Sequence, residues 1–194
     1  MINESKEWFK KVNFQKIKFN DFPIKQEKQY YFTEWPEGVH FTLMYKRNNY
    51  CYFLSPKGTM IKDNLLVLND YKHILDKQTK IKEIIIPGTI AAWENGKILS
   101  IKQTLYILKH ADTSIKYQRL LHHYAEDIYK YNNTIIDYPL AINYLTALFY
   151  NTKTKIRAIN FYKGDLKVAW NHFGKKHKFG ILARGKVNYK IQKG

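Results

Sequence analysis

Cysteine occurs once in these 194 residues, as Cys51, so an internal disulfide and a cysteine-rich zinc site are both excluded. That thiol lies inside the aromatic run Tyr50–Leu54, the surroundings of a core residue and not of a nucleophile. Glycine and proline are also scarce, at nine and five, and no Gly/Ser/Pro-rich linker, fixed-period repeat or low-complexity tract interrupts the chain. A single domain over 1–194 is therefore expected, with 1–29 as an N-terminal extension. No apolar run approaches the roughly 18 residues of a membrane span. The stretch from Met1 to Lys11 surrounds Trp8 and Phe9 with Glu4, Glu7 and three lysines, and so lacks the apolar core of a secretory signal. The expected location is intracellular, cytoplasmic or nucleoid-associated, with no membrane partner.

Several chemistries lack their signatures. No G-x-G-x-x-G follows a strand and no G-x-x-x-x-G-K-[ST] occurs, so dinucleotide and P-loop phosphate sites are unsupported. There is no G-x-S-x-G elbow. The adjacent His122 and His123 point apart in either helix or strand, and no His spacing suits a metal. The expected metal site is none.

Acidic residues are the last shortage, 16 against 33 Lys and Arg, for a formal charge of +17. The excess is uneven. Residues 1–60 hold ten basic and six acidic side chains, residues 61–150 hold eleven and nine, and residues 151–194 hold twelve and one. A codon bias toward lysine would spread the excess along the chain; its concentration in the last quarter fits a polyanionic partner better.

What is present is a folded, aromatic-rich composition with 16 Tyr and 11 Phe. Residues 39–45 and 50–54 are β-rich runs around the polar turn Lys46-Arg47-Asn48-Asn49. Ile84-Ile85-Ile86, closed by Pro87-Gly88, and Thr89 to Trp93 read as strands, and Glu94-Asn95-Gly96-Lys97 as a hairpin turn. Ser100 has the character of an N-cap for a helix ending near His110, and 114–131 is open between helix and strand. Pro139 to Phe149 reads as a helix with Leu140, Tyr144, Leu145 and Leu148 on one face. From 156 onward β-like runs return at 156–162, 166–170 and 180–183. This pattern predicts an α+β fold with antiparallel sheets.

Four stretches, in order, resemble the adenylation domain of ATP-dependent DNA ligases, members of the covalent nucleotidyltransferase superfamily. The first is Trp35-Pro36-Glu37-Gly38-Val39-His40, two short strands and Ser55-Pro56-Lys57-Gly58, similar to K-x-D-G-x-R followed by S-R-x-G. The nucleophilic lysine position holds Trp35, the Asp position Glu37 and the first arginine position His40, while Pro56 replaces the second arginine. The second, Ile85 to Lys97, is similar to L-D-G-E-L-V-A-W-D-N-G-K, with Thr89 at the glutamate that contacts ribose or metal. The third, Asp127 to Asn133 with Ile136 to Leu140, places Glu126 where the family has the aromatic that stacks on adenine. The fourth, Phe179-Gly180-Ile181-Leu182-Ala183-Arg184 with Tyr189 and Gly194, puts Phe179 at a metal-associated glutamate. The chain then ends before a clear K-x-K motif and before the oligonucleotide-binding domain of ligases.

The resemblance implies two antiparallel sheets flanked by helices around a central cleft, ATP-grasp-like. Geometry-setting positions match (Gly38, Gly58, Gly88, Gly180, Pro139) and chemical ones do not, so no catalytic residue and no cofactor is expected. The implied protein is a catalytically inactive ligase-like chain that binds nucleic acid, DNA before RNA, in a larger nucleoprotein complex. Its expected contacts are Lys46, Arg47, Lys57, Lys153, Lys155, Arg157, Lys175, Lys176, Lys178, Arg184 and Lys186. Tyr30, Tyr31, Phe32, Trp35 and Trp170 are candidates for base or sugar stacking. The alternatives are an active ATP- and Mg-dependent nucleotidyltransferase using Lys46 or Lys57, or a scaffold for acidic protein partners.

Overall fold

The computed structural model describes residues 2–150 and 152–193, so Gly194 of the fourth stretch lies outside the described residues. The chain clusters into two compact units: the residues before Phe9 together with Gly38–Ala158, and Phe9–Glu37 together with the chain after Ala158.

The first unit holds two sheets. One runs Thr134–Ile135, Lys130–Tyr131, Glu83–Ile86, Thr42–Lys46, Tyr50–Leu54, Met60–Ile61, antiparallel throughout. The other runs Ile156–Ala158, Leu121–Ala125, Gly88–Glu94, Val39–His40, with Lys97–Ile98 folding back on Gly88–Glu94. Its first pair is parallel and the rest antiparallel. The core between them includes Phe41, Leu43, Phe53, Tyr71, Ile84, Ile86 and Ile90.

Local sequence explains the helices. Ser100 and Gln103 form a reciprocal capping box at the start of Ile101–His110, with Gln103 N–H donating to Ser100 Oγ at 3.1 Å and Ser100 N–H to Gln103 Oε1 at 3.0 Å. Asp137 caps Tyr138–Phe149 through the Leu140 N–H at 3.0 Å, with Pro139 in the first turn. Its buried face is Ala141, Ile142, Leu145 and Phe149, one step round from the expected one; Leu140 is exposed. The open segment resolves into helix Ile115–Leu120 and strand Leu121–Ala125. Helix Leu66–Lys77 was not anticipated and buries Val67, Leu68, Tyr71 and Leu75.

The second unit is one sheet, ordered Gln15–Lys18, Tyr189–Gln192, Gly180–Arg184, Tyr31–Glu34, Phe161–Lys163, covered by helix Leu166–Lys176. Its first pair is parallel. The run 166–170, expected as β-like, is the start of this helix. Asp165 accepts from Val168 N–H at 3.1 Å, and Leu166, Ala169 and Phe173 fall on one buried face. A five-residue apolar run cannot distinguish the two periods, and the cap decides it.

The α+β class is as expected, but the described residues form three sheets where two were expected, and two strand pairs are parallel. The run 39–45 also divides. Val39–His40 pairs with Gly88–Glu94 and Thr42–Lys46 pairs in the other sheet, because Phe41 N–H bonds Gly88 C=O at 3.1 Å between them. Cys51 is half-buried on its strand, and burial pushes its thiol up to about 12, as expected of a core residue.

A buried chain of hydrogen bonds crosses the first unit. Tyr71 Oη donates to His123 Nδ1 at 2.6 Å, and His123 Nε2–H donates to the Phe41 carbonyl at 2.8 Å. Both ring nitrogens are used by the neutral tautomer, and burial lowers the His123 pKa from 6.5 to about 4. The unfolded chain therefore takes up a proton that the folded chain refuses, and stability falls as pH drops from about 6.5 to about 4. Urea midpoints across this window are expected to report a loss on the order of 2 kcal/mol for the wild type and a flatter profile for His123→Gln.

Candidate functional site

The positions singled out by the ligase resemblance gather in two places, one in each unit. In the first unit, His40 lies in register with Thr89 across antiparallel strands. Thr89 Oγ1 donates to Glu126 Oε1 at 2.8 Å, and Glu126 N–H bonds the Pro87 carbonyl at 2.9 Å. Two glycines make this approach possible. A Cβ on Gly38 would stand 2.2 Å from the Ile90 carbonyl oxygen, and one on Gly88 would stand 2.0 Å from that of Tyr124. Neither spacing admits a side chain.

Trp8, unnoticed as a site residue, joins this cluster. Its indole N–H donates to Asp127 Oδ2 at 2.8 Å, and its ring is stacked on His40 with centroids 5.4 Å apart and planes 11° apart. Its only sequence signal was a lone tryptophan in a charged N-terminal segment. His40 also lines a groove of about 710 Å³ with Ser55, Lys57, Leu105 and Leu108, which brings the two ends of the first stretch together.

In the second unit, Trp35 follows strand Tyr31–Glu34 and Phe179 precedes strand Gly180–Arg184, so the antiparallel pairing of these strands brings them together. Their ring centroids are 5.3 Å apart. The Lys190 ammonium lies 5.4 Å from the Trp35 ring centre and that of Lys178 lies 6.0 Å from Phe179, both cation–π distances. Lys18, Trp35, Lys178, Phe179, Gln192 and Lys193 line a cavity of about 510 Å³. Glu37 is buried.

Behind Trp35, Glu34 is fully buried and fully partnered. His177 Nε2–H donates to Oε2 at 2.7 Å, the Lys176 ammonium lies 3.4 Å from the same oxygen, and Asn160 Nδ2 donates to Oε1 at 2.8 Å. Burial alone would raise the Glu34 carboxyl; the His177 hydrogen bond and the Lys176 charge outweigh it and hold the pKa below 4.5.

The eleven basic residues divide between the units: Lys46, Arg47, Lys57, Lys153, Lys155 and Arg157 in the first, Lys175, Lys176, Lys178, Arg184 and Lys186 in the second. Lys46, Lys57, Lys153, Arg157, Lys175, Lys176, Lys178 and Lys186 are exposed. Several of the eleven have structural work. Arg47 donates to the carbonyls of Leu75, Asp76 and Ile81 at 3.0, 2.9 and 2.9 Å and also to Gln78, closing the end of helix Leu66–Lys77. Arg157 reaches the Thr154 and Ile156 carbonyls. Arg184 is buried, with Nε bonded to Asn188 Oδ1 at 3.3 Å and its guanidinium over Phe14. Lys155 is half-buried. Among the stacking candidates, Tyr30 and Phe32 are core side chains, Tyr31 packs on Phe161 and Trp170 on Phe19, which leaves Trp35 beside the basic cavity. No group of three His, Cys, Asp or Glu side chains suited to a metal occurs among the described residues, and none of the described helices is long and apolar enough to cross a membrane.

Mixed sheets and helices in this arrangement are the nucleotidyltransferase fold of DNA ligases. The similar solved structures include DNA ligases. A mycobacterial DNA ligase D complexed with ATP and MES matches over 84% of this chain and 54% of its own, with a TM-score of 0.63 and 12% identity. The bacteriophage T7 ATP-dependent ligase complexed with ATP matches over 93% of this chain and 65% of its own, at 0.60 and 14%. A Lig E DNA ligase, described as binding DNA with a minimal scaffold, matches over 93% and 68%, at 0.60 and 10%. The chain thus spans about half to two thirds of these ligases. Identities this low establish the fold alone. No family model matches the chain, and no curated protein does.

Because the Glu34 pKa is depressed in the folded state, its stabilisation is present above the ordinary carboxyl value and is lost as pH falls below about 4.5. Glu34→Gln is expected to unfold at lower urea than the wild type at pH 7 and to lose less on acidification to pH ~3, as measured by tryptophan fluorescence; equal acid sensitivity would show that the network carries no such energy.

Proposed function

We propose that this chain is a catalytically inactive, ligase-like protein that binds nucleic acid, DNA in preference to RNA, as an intracellular subunit of a larger nucleoprotein complex. The observation that carries this reading is the Trp35–Phe179 pair beside Lys18, Lys178, Lys190 and Lys193. In the motif correspondence, Trp35 stands at the nucleophilic lysine. An indole has no amine to attack the α-phosphate, so no phosphoramidate forms. Thr89 and Phe179 stand at carboxylate positions, and neither supplies the charge that holds a metal for phosphoryl transfer.

What the arrangement retains is suited to polyanions. Exposed ammonium groups supply counterion-releasing contacts to phosphates, and an aromatic ring among lysines offers a stacking face to an unpaired base. Lys46, Lys57 and Lys153 extend the basic surface of the first unit, and Lys175, Lys178 and Lys186 that of the second. Arg47, Arg157 and Arg184 support the binding elements by holding their main chain and packing. That a Lig E ligase of this fold binds DNA with a minimal scaffold is consistent with the reading.

Gel-shift titrations test it. With roughly 6–10 phosphate contacts, affinity for a DNA duplex is expected to fall by about 10³–10⁵ between ~50 and ~200 mM salt. The double variant Lys175→Glu/Lys178→Glu is expected to weaken binding and flatten the salt slope. Incubation with labelled ATP and Mg²⁺ should leave the protein unlabelled. Absence of binding at ~50 mM salt, or a covalent nucleotide on Lys46 or Lys57, overturns the proposal.

A further inference from the structure

We propose that the aliphatic groove of the first unit is a docking site for an acidic amphipathic helix of a partner protein. Helix Ile101–His110 turns Thr104 and Ile107 inward, where both are buried. It carries a second apolar ridge, Ile101, Leu105 and Leu108, at the i, i+4, i+7 spacing of a packed helix face. That ridge is left uncovered: Leu105 is 50% exposed and Ile101 37%. With Val39, Pro56 and Ile61 it lines a groove of about 710 Å³. Val39–His40 and Met60–Ile61 each stand at the end of a sheet, so among the described residues no further strand closes over this apolar surface. An uncovered apolar strip of this kind marks a contact site more often than idle surface.

Charge decides the occupant. Lys57 and Lys109 line the groove and are exposed, and no acidic side chain lines it. Lys102, also exposed, lies two helical turns before Lys109 and so on the same flank of the ridge. Aliphatic side chains edged by ammonium groups complement a helix that presents Leu, Ile or Phe at i, i+4 and i+7 with Asp or Glu beside them. A nucleic acid matches poorly, because aliphatic side chains give a base no stacking face and a phosphate no donor. Trp35 and Phe179 among the lysines of the second unit are the contrasting case. A second copy of this chain matches no better, since it brings lysine against lysine on a molecule of charge +17.

Such a partner presupposes the reading of this chain as a subunit of a larger complex, but the peptide assay contains no nucleic acid, so that reading and this site fail separately. The probe is a fluorescein-labelled synthetic helix of about 16 residues with Leu on one face and Glu on the others. It is titrated against the full-length protein by fluorescence anisotropy at ~150 mM salt, where exposed charges are largely screened. The controls are a scrambled peptide of the same composition and the same design with Lys in place of Glu. The wild type is expected to bind the acidic helix about tenfold or more tightly than either control. Leu105→Ser, at a half-exposed position that spares the core, should weaken binding by roughly tenfold. Lys102→Glu/Lys109→Glu should lose the acidic helix and gain the lysine-faced one. Equal affinity for the scrambled peptide, full affinity in Leu105→Ser, or displacement of the bound peptide by a DNA duplex overturns the docking site. So does a dimer in sedimentation that Leu105→Ser dissociates, which makes a second copy the occupant. DNA binding without peptide binding sinks this site alone.

Discussion

Strand Gly88–Glu94 accepts a neighbour along each edge only because no side chain stands at Gly88 or Gly38. A methyl group at either place would collide with a backbone carbonyl, of Tyr124 or of Ile90. With both free, His40, Thr89 and Glu126, from three distant parts of the chain, come to lie beside one another. Everything assembled around His40 in the first unit, including the Trp8 contact, depends on that close approach. The constraint is steric. Backbone geometry tolerates fewer substitutes than a binding face does.

The electrostatics follow a second division, between charges committed inside and charges left outside. Glu34, Glu126 and Asp127 are buried, each with hydrogen bonds from within its own unit. A buried carboxylate persists only when so partnered. Arg47, Arg157 and Arg184 are likewise occupied with carbonyls, an asparagine and an aromatic ring. The exposed positive charge is mostly that of lysines, flexible and strongly hydrated point charges, with Arg119 and Arg157 exposed among them.

Much of the fold is legible in the order of the residues. The Thr42–Lys46 and Tyr50–Leu54 hairpin, the Ser100 capping box, the Asp137-Tyr138-Pro139 helix start and the Asn95-Gly96 turn all follow from local rules. Each is settled by interactions within a few residues. The errors share the opposite property. Val39 to Tyr45 is one β-rich run locally, and only the Phe41–Gly88 hydrogen bond assigns its halves to different sheets. Leu166 to Trp170 has the composition of a strand, and the Asp165 cap together with the sheet beneath Phe173 makes it a helix. Leu140 was placed on the buried face by periodicity, and packing turned the helix one residue further.

The sites divide in the same way. By itself the amino-acid sequence determined the α+β class and the concentration of positive charge in residues 151–194. Those are properties of residue identity and short-range spacing. Only the tertiary structure decided that Trp35 faces Phe179 and Lys190, that Arg47 serves a helix end, that Tyr30 and Phe32 are core, and that Trp8 rests on His40 with its N–H on Asp127. The last pair is 119 residues apart. No local propensity carries information over that distance, because such contacts are selected by the packing of whole sheets.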